Sequence, residues 1–158
     1  MNFLWNTYIG KLITTFLVAM VPVLELRGAI PIATASGINY WVAFVVAVLG
    51  NMVPVPFIIV FIRKIFAWMR KHLPWLDGFV SKLEERADKH KEKVLKYEFW
   101  GLFILVAIPL PGTGAWTGAL VAAMLDMQLK RALPAIFFGV ITAGLVVSLV
   151  TLGIVHIF

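Results

Sequence analysis

From Trp41 to Ile62 the chain runs for twenty-two residues without a charged side chain. As a helix at about 1.5 Å per residue, that is about 30 Å, the thickness of a bilayer's hydrocarbon core. The stretch follows Asn39, a good helix N-cap, and meets Arg63-Lys64, a polar stop. Pro54 and Pro56 would bend it, which membrane helices tolerate when neighbours satisfy the freed carbonyls. Three more apolar stretches cover about 12–35, 99–125 and 132–157. With 61% hydrophobic and 14% charged residues, against about 25% charged in soluble domains, the chain cannot clothe itself in a polar shell. The expectation is an all-α membrane protein, one membrane domain over 1–158.

Two stretches read as single spans, 41–62 and 132–157. The other two are broken near their centres. The first reads Val21-Pro22-Val23-Leu24-Glu25-Leu26-Arg27-Gly28-Ala29-Ile30-Pro31, the second Ile108-Pro109-Leu110-Pro111-Gly112-Thr113-Gly114-Ala115. Proline removes a backbone donor and clashes with the preceding turn, and glycine frees the dihedrals. Each broken stretch is expected to form a re-entrant hairpin: two half-length helices and an irregular tip. Charge supports this. Ten of the fourteen Lys and Arg lie between Arg63 and Lys96, and Lys130-Arg131 follow the second broken stretch. If both broken stretches return to the side they came from, those twelve share one side, as the positive-inside rule requires. That side is cytoplasmic, both termini are outside, and the membrane is the plasma (inner) membrane of a prokaryote.

The halves also resemble each other. At an offset of 87, Phe16 meets Phe103, Pro22 meets Pro109 and Asn39 meets Asp126. Hairpin, cap and span make the unit in each half. Each unit crosses an odd number of times, so the second copy is inverted. Inverted repeats with broken helices meeting near the midplane are a transporter plan. The 63–98 linker is expected to be an amphipathic helix on the cytoplasmic surface, or packed on its mate in a homodimer. Leu76, Val80, Leu83, Ala87 and Val94 keep helical spacing, and Glu85–Lys89 and Glu92–Lys96 are i,i+4 pairs.

Several classes drop out. The net charge of +6 sits where membrane topology calls for it, so nucleic acid is not an expected partner. Absence of cysteine excludes disulfides, thiolate chemistry and thiolate-bound metal. His72, His90 and His156 are too scattered for a metal site. No phosphate-binding loop, dinucleotide fingerprint, nucleophile elbow or zinc-protease motif occurs, so neither enzyme activity nor a cofactor is expected. Residues 12–24 imitate a signal-peptide core, and Ala33-Thr34-Ala35 a cleavage site, but Glu25 and Arg27 intervene, so the segment is expected to be retained.

The candidate site lies at the two tips. A charge at membrane depth costs roughly 2.5–3.5 kcal/mol on insertion scales, so Glu25 and Arg27 should pair, line a polar cavity or do work. One reading is an internal salt bridge that fixes the hairpin. The other gives Glu25 a proton or cation and Arg27 an anionic group. Pro109, Pro111, Gly112, Thr113, Gly114 and Thr117 form the opposite tip. The half-helix that follows it aims free N–H groups at the tip, and such groups attract carboxylate or phosphate. Asn51, beside Gly50, either joins helices or lines the path, with Thr142 in a comparable place. Trp116 is a packing residue or a substrate contact. Asp126 and Lys130 fit a helix start.

ELRGAIP (Glu25 to Pro31), GNMVPVP (Gly50 to Pro56) and IPLPGTGAWTG (Ile108 to Gly118) resemble the small multidrug export protein family over nearly the whole length. That family is similar in plan to the DedA membrane proteins, whose two re-entrant hairpins are each followed by a transmembrane helix. Pro22 to Glu25 looks like the DedA first-hairpin motif, whereas the arginines that flank the DedA second tip have no counterpart here. The resemblance implies a transporter of a small or amphiphilic substrate, or a flippase or scramblase of carrier lipid or phospholipid. A membrane scaffold without transport is the alternative from a different class.

Overall fold

The computed structural model describes residues 7–110 and 112–157, without the side chains of 87, 90–96 and 154–157. Pro111, and the side chains of Ala87, His90, Val94, His156 and the Glu92–Lys96 pair, lie outside the described residues. The described residues form seven α-helices and one 3₁₀ turn, with no strand: α1 Tyr8–Met20, α2 Glu25–Ala35, α3 Tyr40–Met52, α4 Pro54–His72, the 3₁₀ turn Pro74–Leu76, α5 Asp77–Ala107, α6 Ala115–Met124 and α7 Leu129–Ile157.

Proline ends both half-length helices by the same route. A residue before proline is pushed out of the helical region. Val21 (φ −74°, ψ 129°) and Ile108 (φ −79°, ψ 116°) are both extended, directly before Pro22 and Pro109. The helices after the breaks also end alike. Beyond α2, Gly37 takes φ +83° and Ile38 N–H donates to Ala33 O; beyond α6, Asp126 takes φ +55° and Met127 N–H donates to Ala122 O. Asn39 caps α3, its side chain accepting from Trp41 N–H at 3.0 Å.

Two boundaries differ from the sequence expectation. The helix through 41–62 passes Arg63-Lys64 and runs to His72, with only a kink at Val53. Charge can end a membrane span without ending a helix, and no breaker stands before Pro74. Arg70 then binds Asp77 and Glu84 of α5. The linker helix and the helix that leads to the second break meet inside α5, where Tyr97 (φ −137°, ψ 20°) and Glu98 (φ 26°, ψ −88°) leave helical geometry and the apolar part, Tyr97–Ala107, begins. The linker's apolar side folds onto the chain's own core: Val80 is fully buried and Leu83 packs beside it. The last helix starts at Leu129, three residues before 132.

Two stretches, Tyr40–His72 and Leu129–Gly153, are long and apolar enough to cross a membrane, and only 33% and 39% of their apolar windows are buried within the chain. Large apolar side chains such as Val45, Leu49, Phe57, Phe138 and Leu149 face outward. In water such a surface would drive aggregation; in lipid it is the proper solvent face.

The halves pack by matching contacts. α1 lies on α2 and α3, and α5 lies on α6 and α7. Gly50 of α3 admits the Phe16 carbonyl and Ala19 of α1, while Gly139 of α7 admits the Phe103 carbonyl and Val106 of α5. A Cβ at 139 would stand 2.7 Å from Val106 Cβ and 3.1 Å from Phe103 O, with backbone on one side and a branched side chain on the other. Gly139→Val should therefore destabilise the fold by roughly 1–3 kcal/mol, the range for overpacking a close contact. Gly153→Ala, with nothing within 4 Å, should be neutral. Unfolding in mixed detergent micelles measures both, and equal stability of the two variants would refute the close approach.

Candidate functional site

The two breaks meet. Glu25 opens α2 with a left-handed backbone (φ +46°), and its N–H returns to Val21 O at 2.9 Å. That turn sends the side chain across to the other half. Its Oε1 accepts from the Trp116 N–H at 3.2 Å, at the start of α6. The carboxylate is 4% exposed, the one buried charged side chain among the described residues. A helix N-terminus offers unpaired N–H groups and partial positive charge, so a carboxylate from elsewhere in the chain can cap it.

Arg27, half-buried, reaches the same tip by a second route. Its Nη1 donates to Leu110 O, and Nη2 donates to Thr113 O (3.1 Å) and Thr113 Oγ1 (3.0 Å). Thr113 is the hub. Its hydroxyl donates to Ile108 O at 2.6 Å and accepts from Leu110 N–H at 3.2 Å. Thr117 Oγ1 closes the turn on Gly112 O at 2.9 Å. Gly112 sits at φ +85° in open space, where only the backbone dihedral calls for glycine. Gly114 is different: it takes φ +129°, and a Cβ there would run into the Glu25 carboxylate.

Glu25 and Arg27 form no ion pair with each other, although they are neighbours. Each instead holds one end of the opposite tip, so the internal salt bridge expected of one reading is replaced by a double clasp between halves. The structure brings Glu25, Arg27, Leu110, Gly112, Thr113, Gly114 and Thr117 together. Pro109 sets the break through the extended Ile108 that precedes it. Asn51 joins from α3: it is fully buried, lines one narrow cleft with Glu25, Arg27 and Gly114, and neither amide atom has a hydrogen-bond partner. Thr142 stays apart, bonded back to Phe138 O at 2.9 Å.

Sequence reasoning left two pairings unread. One is Glu25 on the Trp116 N–H: free N–H groups are expected at this helix start, but not which carboxylate they hold; the Trp116 indole Nε1 also donates to Met20 O at 3.0 Å and ties the tip to α1. The other is the Arg63 guanidinium, which binds Asp126 and the Met124 carbonyl (2.9 Å) where α6 ends. Asp126 thus pairs with Arg63 and not, among the described ion pairs, with Lys130. No local pattern announces either contact, since the partners lie 91 and 63 residues apart.

Among known proteins, the family model described as "Putative small multi-drug export protein" matches residues 25–146, from Glu25 through most of α7. No curated protein and no solved structure matches the chain.

Proposed function

This chain belongs to the small multi-drug export protein family, and from that premise we propose that it is a transporter working through the clasp between its two helix breaks. The observation that carries the reading is the buried Glu25 carboxylate, which leaves one break to cap the helix of the other beside an unpartnered Asn51. A carboxylate placed so can exchange a proton as it leaves and regains the helix N-terminus, and its departure opens the path between the halves. Arg27 is the second moving part, releasing the tip carbonyls to take hold of an anionic group.

In this reading the two halves are inverted repeats and each broken pair is a re-entrant hairpin. Support comes from the matching pre-proline breaks, the matching glycine contacts and the basic residues that then share the cytoplasmic side. Two full spans make few walls for a pathway, so a homodimer completes it, with outward apolar positions such as Leu17, Val45 and Leu49 available for contact. The three hydrogen bonds that Arg27 already gives the opposite tip favour a second reading, a membrane scaffold in which the clasp is purely structural.

The chain has no cysteine, so a single one can be introduced without background. Leu110 is 56% exposed and contributes only backbone to the clasp. In Leu110→Cys, a membrane-impermeant thiol reagent is expected to label the tip from either side of the membrane. Labelling from one side alone would reject alternating access and leave the scaffold.

A further inference from the structure

We propose that the N-terminus of α6 is a seat for an oxyanion, carboxylate or phosphate, which Glu25 occupies here and yields to a ligand. The proposal rests on the transport reading for its purpose, but its test is binding alone.

α6 has ten residues, enough for a helix terminus with a real partial charge, and Trp116 N–H already holds one carboxylate oxygen at 3.2 Å. The surroundings supply more donors than that carboxylate uses. Asn51 is completely buried at the same cleft, its amide close enough to act on the Glu25 carboxylate, yet no well-formed hydrogen bond satisfies its nitrogen or its oxygen. Arg27 Nε is buried with no acceptor, although the rest of the guanidinium is engaged. Buried polar groups without partners are costly and uncommon.

A tetrahedral or planar oxyanion with several acceptor oxygens could bond Asn51 Nδ2 and Arg27 Nε together with the α6 N–H groups. The unpartnered Asn51 Oδ1 is complementary to the hydroxyl of a protonated Glu25 once that side chain has left the seat. The cleft as it stands has no room even for a water molecule, because the carboxylate fills it. Ligand and Glu25 are therefore competitors. Arg27 is the other charged residue lining the cleft.

The seat is tested with purified full-length protein in nanodiscs. Binding of inorganic phosphate is measured calorimetrically for wild type, Glu25→Ala, Glu25→Gln and Glu25→Ala/Asn51→Leu at constant ionic strength. Removing the resident carboxylate should tighten phosphate binding at least tenfold in Glu25→Ala, or in Glu25→Gln if the alanine variant does not fold, and the Asn51 change should cancel the gain. A parallel arm replaces phosphate with vesicles of phosphatidylcholine with or without phosphatidic acid. Preference for phosphatidic acid with no response to free phosphate also supports the seat and assigns the anion to a lipid headgroup. Wild-type affinity in both Glu25 variants, for phosphate and for phosphatidic acid, overturns the proposal. That failure is separable from failure of the transport reading, which two-sided labelling at position 110 decides by itself.

Discussion

Replacing Arg27 by alanine is expected to abolish export while leaving the protein in the membrane. The apolar spans that direct insertion do not include Arg27, so abundance in the membrane fraction should be unchanged. The clasp would lose three hydrogen bonds from one charged group. A hydrogen bond to a charged group contributes about 1.5–3 kcal/mol, so loss of even one shifts the closed tip's population about tenfold or more. Lysine cannot reproduce the fork that spans Leu110 O and Thr113, so Arg27→Lys should fail as well. Efflux of a panel of fluorescent dyes from cells expressing each variant is the measurement, with at least a tenfold loss expected. Undiminished efflux in Arg27→Ala would remove Arg27 from the site.

Gly114→Ala should be strongly destabilising, although it adds a single methyl. Its backbone (φ +129°, ψ −170°) lies in a region nearly reserved for glycine, at a cost of about 1–3 kcal/mol for any other residue. The added Cβ also meets the Glu25 carboxylate. The two penalties separate in a double-mutant cycle. Glu25→Ala removes the collision but not the backbone strain, so the double variant should be more stable than the sum of the singles predicts. A coupling of roughly 1–2 kcal/mol is expected for residues in contact. Additive losses would mean that Glu25 does not lie over Gly114.

How much of this could be read beforehand depends on the range of the interaction. Pro22 and Pro109 announced the breaks because proline acts on its immediate neighbours, and the extended Val21 and Ile108 are that effect. Asn39 announced the cap for the same reason. The end of α4 was misplaced because Arg63 and Lys64 mark polarity, and polarity does not stop a helix. The break at Tyr97 and Glu98 lies where the sequence changes from charged to apolar. Glu25 and Arg27 were recognisable as unusual from burial cost alone, yet their partners could not be. A spacing of two residues invites a pairing between them, whereas the left-handed turn at Glu25 sends the two side chains to separate acceptors. In the proposed repeat the offset is not constant. Before the tips it relates Phe16 to Phe103 and Ala19 to Val106; after them the offset is 89, relating Gly37 to Asp126 and Gly50 to Gly139. The second tip is two residues longer. At the later offset Glu25 corresponds to Gly114, so the position that carries the carboxylate in one half is the empty place that receives it in the other.

α5 joins a charged helix and an apolar one across a break in a single run of chain. Its first residues carry the charged surface segment, and its last lead into Ile108, Pro109 and the carbonyls that Arg27 grips. The break lies at Tyr97 and Glu98, and there Arg131, at the start of α7, donates to the Glu98 carboxylate at 2.8 Å. The seam between the two parts is thus tied across to the last helix, so the charged segment and the helix that leads to the Arg27 clasp share one anchor point on α7.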